Sequence, residues 1–350
     1  MAGRGSLRDD ERMEPLRIFT WHVHGSYLLY LSQMPHEIFV PVRPDRRNPY
    51  GGLGPGPFPW PANLHEIPVE DIPRQQFDCI LFQRHEQYLN DQYEILSPEQ
   101  RRLPRIFLEH DPPRESPTDT RHAVDDPDVL LVHVTHFNAL MWDAGRTPTR
   151  VIEHGVMVPE HIRYSGELER GIVVVNHLAR RGRRLGADVY LRARAELPLT
   201  LLGMGAAELG GLGEVAPGDV TATVSGYRFL FSPIRHTSLG LGILEAMAAG
   251  VPVVGLATTE LVTVVHDGIE GFVDTDLHAV VRRARRLLDD QELALAMGAA
   301  ARATVASRFG IDRFVADWHR LLLAVADGRS LPPGVAAADD ERTHRQHVER

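Results

Sequence analysis

Apolar positions along the chain fall in short runs, and the stretches between them carry helical spacing. The pattern is clearest in the C-terminal half. The runs IVVVN (172–176), LTLLG (199–203), YRFLFSP (227–233), VPVVGL (251–256) and GFVDT (271–275) predict buried strands. ADVYLRARAEL (187–197) and the stretches 241–249, 259–266 and 277–289 predict helices between them. Strands alternating with helices mean βαβ units, hence a parallel sheet covered on both faces. Helices over about 291–307 and 311–326 are expected to close this layer. The Pro/Asp/Arg-rich stretch 328–350 and the polar stretch 1–15 read as flexible tails.

The N-terminal half alternates less cleanly. RIFTWH (17–22), EIFVPV (37–42), FDCILFQ (77–83), PRIFLEH (104–110) and VLLVHV (129–134) predict strands, and 26–33 and 136–144 predict helices. RPDRRNPYGGLGPGPFPWP (43–61) is a Pro/Gly-rich loop with three aromatics, and a loop that long is functional or disordered. TRVIEHGVMVPEH (149–161) is the natural hinge. The expected organisation is an α/β domain over 16–155 and a second over 156–327, both Rossmann-like, facing across a cleft. Ligands of open parallel sheets bind at the carboxyl ends of the strands, so functional residues are sought there.

Composition narrows the function. A chain of 350 residues is long enough for two such domains. Its net charge of −9 argues against general nucleic-acid binding. Cys79 is the only cysteine, which excludes an internal disulfide and fits a reducing, cytoplasmic setting. No apolar run approaches a membrane span, and no signal peptide is visible, so no integral membrane segment is expected. Lysine is absent, and all 38 basic residues are arginine. A P-loop lysine or a Schiff-base lysine is therefore impossible, and side chains that hold an anion must be Arg or His.

The stretch SPIRHTSLGLGILEAMAAG (232–250) carries the sharpest chemistry. Gly240 and Gly242 allow a ligand to approach the backbone closely, and the N–H groups at Leu239 to Gly242 are unpaired helix-start donors. Such a helix start attracts anions, and Glu245 could accept hydrogen bonds from a pair of sugar hydroxyls. Spacing alone leaves open an ordinary βαβ crossover with Glu245 as a solvated acid.

LGLGILEAMAAGVPVVGL and, after it, VVHDGIEGFV resemble the donor-binding signature of retaining, nucleotide-sugar-dependent glycosyltransferases of the GT-B fold, family 4. The resemblance runs over about 170–325 and includes VVVNHLARRGRRLGAD and LTLLGMG. In the N-terminal half, FTWHVHGSY and LEHDPP match the family's first-strand loop and a strand end carrying a cleft His more loosely. The resemblance implies a GT-B architecture and sugar transfer from a nucleotide-diphosphate sugar to a carbohydrate, lipid or small-molecule acceptor. It implies retention, with no cofactor and no metal required.

The resemblance also implies residue roles. Glu245 would bind the ribose, and the backbone at Leu239, Gly240 and Leu241 would face the donor sugar and diphosphate. Arg181 takes the place of a diphosphate-binding Lys, His177 that of an Arg, and Arg180 adds charge beside them. His110 would lie beside the donor sugar, which makes His110, Arg181 and Glu245 the expected catalytic set. Gly25 would approach the diphosphate, and His24 is expected on the acceptor side. Apart from the resemblance, Trp21 and Tyr27 are candidates to stack on an acceptor sugar, with a place in the core as the alternative for either. At Thr237 the family has a second Glu. That departure and His177 leave open a catalytically impaired, nucleotide-binding relative. The pair His22-x-His24, completed by His110, Asp111, His133 or His136, leaves open a zinc-dependent hydrolase, although no HExxH is present.

Overall fold

The computed structural model describes residues 14–54, 58–157 and 161–328. The expected tails at 1–15 and 328–350 lie almost wholly outside them, as do residues 55–57 of the Pro/Gly-rich loop and 158–160 of the hinge.

Seven strands form the first sheet: β1 (Arg17–Thr20), β2 (Glu37–Val42), β3 (Leu64–Pro68), β4 (Cys79–Phe82), β5 (Arg105–Glu109), β6 (Val129–His133) and β7 (Thr149–Val151). All are parallel, in the order β3-β2-β1-β4-β5-β6-β7. The helices α1 (Gly25–Leu31), α2 (Gln92–Ile95) and α3 (His136–Met141) accompany it. The second sheet is parallel too, in the order β12-β11-β10-β8-β9, from β8 (Leu168–Val174), β9 (Leu199–Leu202), β10 (Tyr227–Ser232), β11 (Val253–Leu256) and β12 (Gly271–Asp274). Its helices are α4 (Leu178–Arg181), α5 (Ala187–Arg194), α6 (Val220–Ser225), α7 (Leu241–Ala249), α8 (Leu277–Asp289) and α9 (Gln291–Arg308). Among the described residues, no helix is long and apolar enough to cross a membrane.

Strand β4 is buried at every position, as a parallel strand covered on both faces must be. One apolar core continues from the inner face of the first sheet (Ile18, Leu81, Leu108) into the second (Ile172, Leu230, Leu244). The last helix, α10 (Ile311–Ala326), does not stay with the second sheet. Trp318 Nε1 donates to Tyr27 Oη at 3.2 Å, and His319 Nδ1 meets His36 Nε2 at 3.0 Å, so α10 returns to the first sheet and binds the two halves together.

The carboxyl ends of the sheets meet. His236, after β10, hydrogen-bonds the Pro113 carbonyl, after β5, at 2.7 Å. The Phe137 N–H on α3 donates to Glu260 in the second half at 2.7 Å. Between these contacts lies the cleft.

Candidate active site

The second sheet supplies a cationic turn and a helix start. Beyond β8 the chain turns at His177, which has a left-handed backbone (φ 53°) and donates its N–H to the Met204 carbonyl. Arg180 to Arg184 follow in a tight turn. Gly186 seats this turn: its φ is +80°, and a Cβ there would lie 1.9 Å from the Pro233 carbonyl oxygen. Arg183 is ion-paired to Asp188. Arg181 and Arg184 pair with no carboxylate among the described residues. Burial lowers the pKa of both, and mutual repulsion adds to it for Arg181. Arg114 from the first half repels both, and Asp111, ion-paired to Arg114, partly compensates. Like charges held this close are relieved by an incoming anion.

Helix α7 begins beside this turn. Gly240 is its N-cap, in extended conformation, and no atom lies within 4 Å of where its Cβ would stand. Leu239 is buried, and Leu241 and Thr237 are half-buried. Glu245 projects from the second turn of α7. Burial raises its pKa, and Tyr30 Oη on α1, donating at 2.7 Å, opposes the rise. That hydrogen bond joins the two halves, and the other carboxylate oxygen has no hydrogen-bond partner among the described residues.

The first sheet supplies the floor. His110 follows β5, and its ring lies 4.6 Å from His24 and 4.8 Å from Tyr27. His24 is the N-cap residue of α1 and is exposed. Burial lowers the pKa of His110 well below the usual value, so that ring is neutral at neutral pH.

Most of the expected residues converge on the cleft, but two do not face it. Trp21 and Tyr27 were expected to meet the acceptor and are core residues, 0% and 2% exposed. Trp21 stacks on Phe82 at 5.6 Å, and Tyr27 packs edge-on to His154 and Phe314. An aromatic ring covered on all sides offers no face to a sugar. Gly25 is at the cleft, but Phe58 lies over it, 2.4 Å from the position a Cβ would take. The ring of His177 packs on Gly205, with Nδ1 3.1 Å from its Cβ position.

The zinc set does not assemble either. His22 turns to the Gly52 carbonyl (3.0 Å) and Trp60, whereas His24 turns to His110. The group that metal-ligand spacing does pick out is His85, Glu109 and His122. Here Val124 N–H donates to His122 Nδ1 at 3.1 Å, so the ring proton is on Nε2 and points at Glu109 (3.1 Å). A metal on that nitrogen would need the other tautomer. The trio is a hydrogen-bond hub instead. Burial pushes the Glu109 carboxyl up, but His122, His85 and the Asp111 N–H together outweigh it and hold its pKa at about 2. The hub fixes Asp111 and so the cleft wall.

Sequence reasoning missed Tyr30, Gln83 and Arg114. Gln83 carried a signal, because it ends a strand run. Tyr30 lies mid-helix, 215 positions from Glu245, and nothing local announces that partnership.

Solved structures share this fold. Sucrose-phosphate synthase from Thermosynechococcus elongatus superposes with a TM-score of 0.66 at 16% identity, over 89% of this chain and 100% of that one. HepE of Anabaena, solved with UDP and glucose, superposes with a TM-score of 0.61 at 13% identity, over 89% and 100%. The fold is GT-B. Residues 192–290 of the second half also match the family model described as glycosyl transferases group 1. Among curated proteins, N-acetyl-alpha-D-glucosaminyl L-malate synthase of Bacillus anthracis is 35% identical over 86 residues, which are 24% of this chain and 23% of the relative. D-inositol 3-phosphate glycosyltransferase of Streptomyces griseus subsp. griseus is 36% identical over 120 residues, 34% of this chain and 23% of the relative. The aligned stretch thus spans about a quarter of each curated relative.

Proposed function

We propose that this GT-B protein is a glycosyltransferase that moves a sugar from a nucleotide-diphosphate sugar to a hydroxyl acceptor, with retention and without a required metal. The observation that carries the reading is the convergence, at one cleft, of carboxylate-free Arg181 and Arg184, the open helix start at Gly240, and Glu245. The group 1 match and the two curated relatives, which by name handle sugars, support the same class.

Glu245 would accept from the ribose hydroxyls with the oxygen that Tyr30 leaves free. The arginines and the first N–H groups of α7 would neutralise the diphosphate. As the bond from the anomeric carbon to the diphosphate oxygen breaks, negative charge grows on that oxygen. Donors already aimed there stabilise it without reorganisation. The acceptor oxygen bonds to the anomeric carbon on the same face, and its proton passes to the leaving phosphate. Guanidinium groups grip phosphate through paired N–H donors, so arginine can supply the positive charge that the reaction needs. His24 would lie toward the acceptor. Thr237 would hold a sugar hydroxyl by one neutral hydrogen bond. For Gly25 to meet the diphosphate, Phe58 has to withdraw.

The test is nucleotide release from UDP-, GDP-, ADP- and dTDP-glucose, with and without EDTA. Release from one of them, unaffected by EDTA and reduced at least tenfold in Glu245→Ala, is expected. Binding of a nucleotide with no release from any donor sugar, and release only in Thr237→Glu, would favour the impaired relative.

A further inference from the structure

Gln83, just past β4, lies under the cleft floor and is 7% exposed. Its Nε2 donates to the Trp21 carbonyl at 2.8 Å and to Thr20 Oγ1 at 2.9 Å. A carbonyl can only accept. Thr20 Oγ1 already donates its proton to the Leu81 carbonyl, so it too accepts from Gln83. The amide is therefore oriented without ambiguity, and Oε1 faces His110 Nε2 at 2.9 Å. An amide oxygen can only accept, so the His110 proton is on Nε2. Gln87 Oε1, accepting from the Gln83 N–H at 2.7 Å, holds the backbone behind this contact. His110 Nδ1 is left as a lone pair with no protein partner among the described residues, beside His24 and Tyr27.

We infer that Gln83 is a positioning residue that locks His110 in the Nε2–H tautomer and so keeps its Nδ1 an acceptor on the cleft floor. The effect on turnover rests on the donor-site reading above; the tautomer itself does not. Held this way, His110 is a neutral ring and does not stabilise the leaving diphosphate as a cation. The titratable and charged groups near the ring are His24, His154 and Arg84, which disfavour its protonation, and Glu109, which favours it. Burial and the neighbouring His24 outweigh Glu109 and keep the ring neutral.

Histidine-selective 15N labelling reads the tautomer directly in the wild-type protein, with the His110 signals assigned by His110→Gln. Nε2 protonated and Nδ1 unprotonated across pH 6–8 is expected, and the opposite tautomer would overturn the inference without touching the glycosyltransferase reading. Gln83→Leu should give mixed tautomers and cut nucleotide release at least tenfold in kcat, while UDP or whichever nucleotide binds keeps its affinity within twofold. Gln83→Glu, which preserves the shape, should raise the His110 pKa and bring a new acidic limb into the pH–rate profile. An unmoved tautomer and rate in both variants would refute the positioning role. Failure of every nucleotide to bind wild type would instead sink the donor-site reading and leave the tautomer result standing.

Discussion

At the scale of single residues, the cleft is defined by what its charged groups lack. Arg183 is satisfied by Asp188, but Arg181 and Arg184, in the same turn, are held near each other and near Arg114 with only Asp111 to offset them. Arg181→Gln is therefore expected to weaken a nucleoside diphosphate about tenfold or more, the worth of a charge-assisted hydrogen bond. The affinity of the corresponding nucleoside should stay within about twofold, and calorimetry of both ligands checks this. Equal weakening of the two would remove Arg181 from the diphosphate site. The arginines were legible in the sequence because lysine is absent and ARRGRRLG follows a strand run. The aromatic residues were not. Trp21 ends a strand run, where a core ring and a sugar platform look alike, and only the neighbouring β4 with Phe82 shows which face it covers.

At the scale of elements, periodicity read the buried architecture well and the edges poorly. The bounds of β2, α7, α8 and α10 coincide with the apolar patterns that predict them. Strands β3 (LHEIP) and β7 (TRV) at the two edges of the first sheet carry no such run, because an edge strand need not be apolar. The helix expected over 259–266 is a 3₁₀ turn, Thr259–Thr263, whose buried Glu260 accepts from α3. Close backbone approaches were equally hidden. A Cβ at Gly298 on α9 would lie 1.9 Å from the Gly250 carbonyl oxygen at the end of α7, and backbone cannot yield there as a side chain can. Gly298→Ala should cost about 3 kcal/mol, seen as a lower denaturation midpoint. Gly186→Ala should cost a similar amount and also weaken nucleoside diphosphates, because it displaces the arginine turn; Gly298→Ala, once folded, should bind them normally. Loss of binding in both would mean that the turn is not what sets affinity.

At the scale of the whole molecule, the two halves are tied by α10, by the shared core and by the hydrogen bond from Tyr30 to Glu245. Tyr30→Phe should lower nucleotide affinity several-fold and also lower the melting temperature, because it leaves the buried Glu245 carboxylate without its Tyr30 donor and removes a tie between the halves. Acid should undo the assembly. His36, His133 and His154 are buried and neutral, each with a pKa lowered by burial to about 4. The unfolded chain protonates these rings below about 6.5, the folded one only near 4. Their contribution is thus complete above about 6.5 and is lost as the pH falls toward 4. Up to three protons are taken up on unfolding in that window, a slope of about 4 kcal/mol per pH unit at its steepest. A flat urea midpoint between pH 6.5 and 4.5 would contradict this. The central claim is that the cleft binds a nucleoside diphosphate through Glu245 and the arginine turn. Thermal shift with UDP, GDP, ADP and dTDP in the presence of EDTA tests it most directly, since a ligand bound only by the native state raises the melting temperature. One nucleotide should stabilise the wild type selectively and lose that effect in Glu245→Ala. No shift with any nucleotide, or an undiminished shift in Glu245→Ala, would contradict the account.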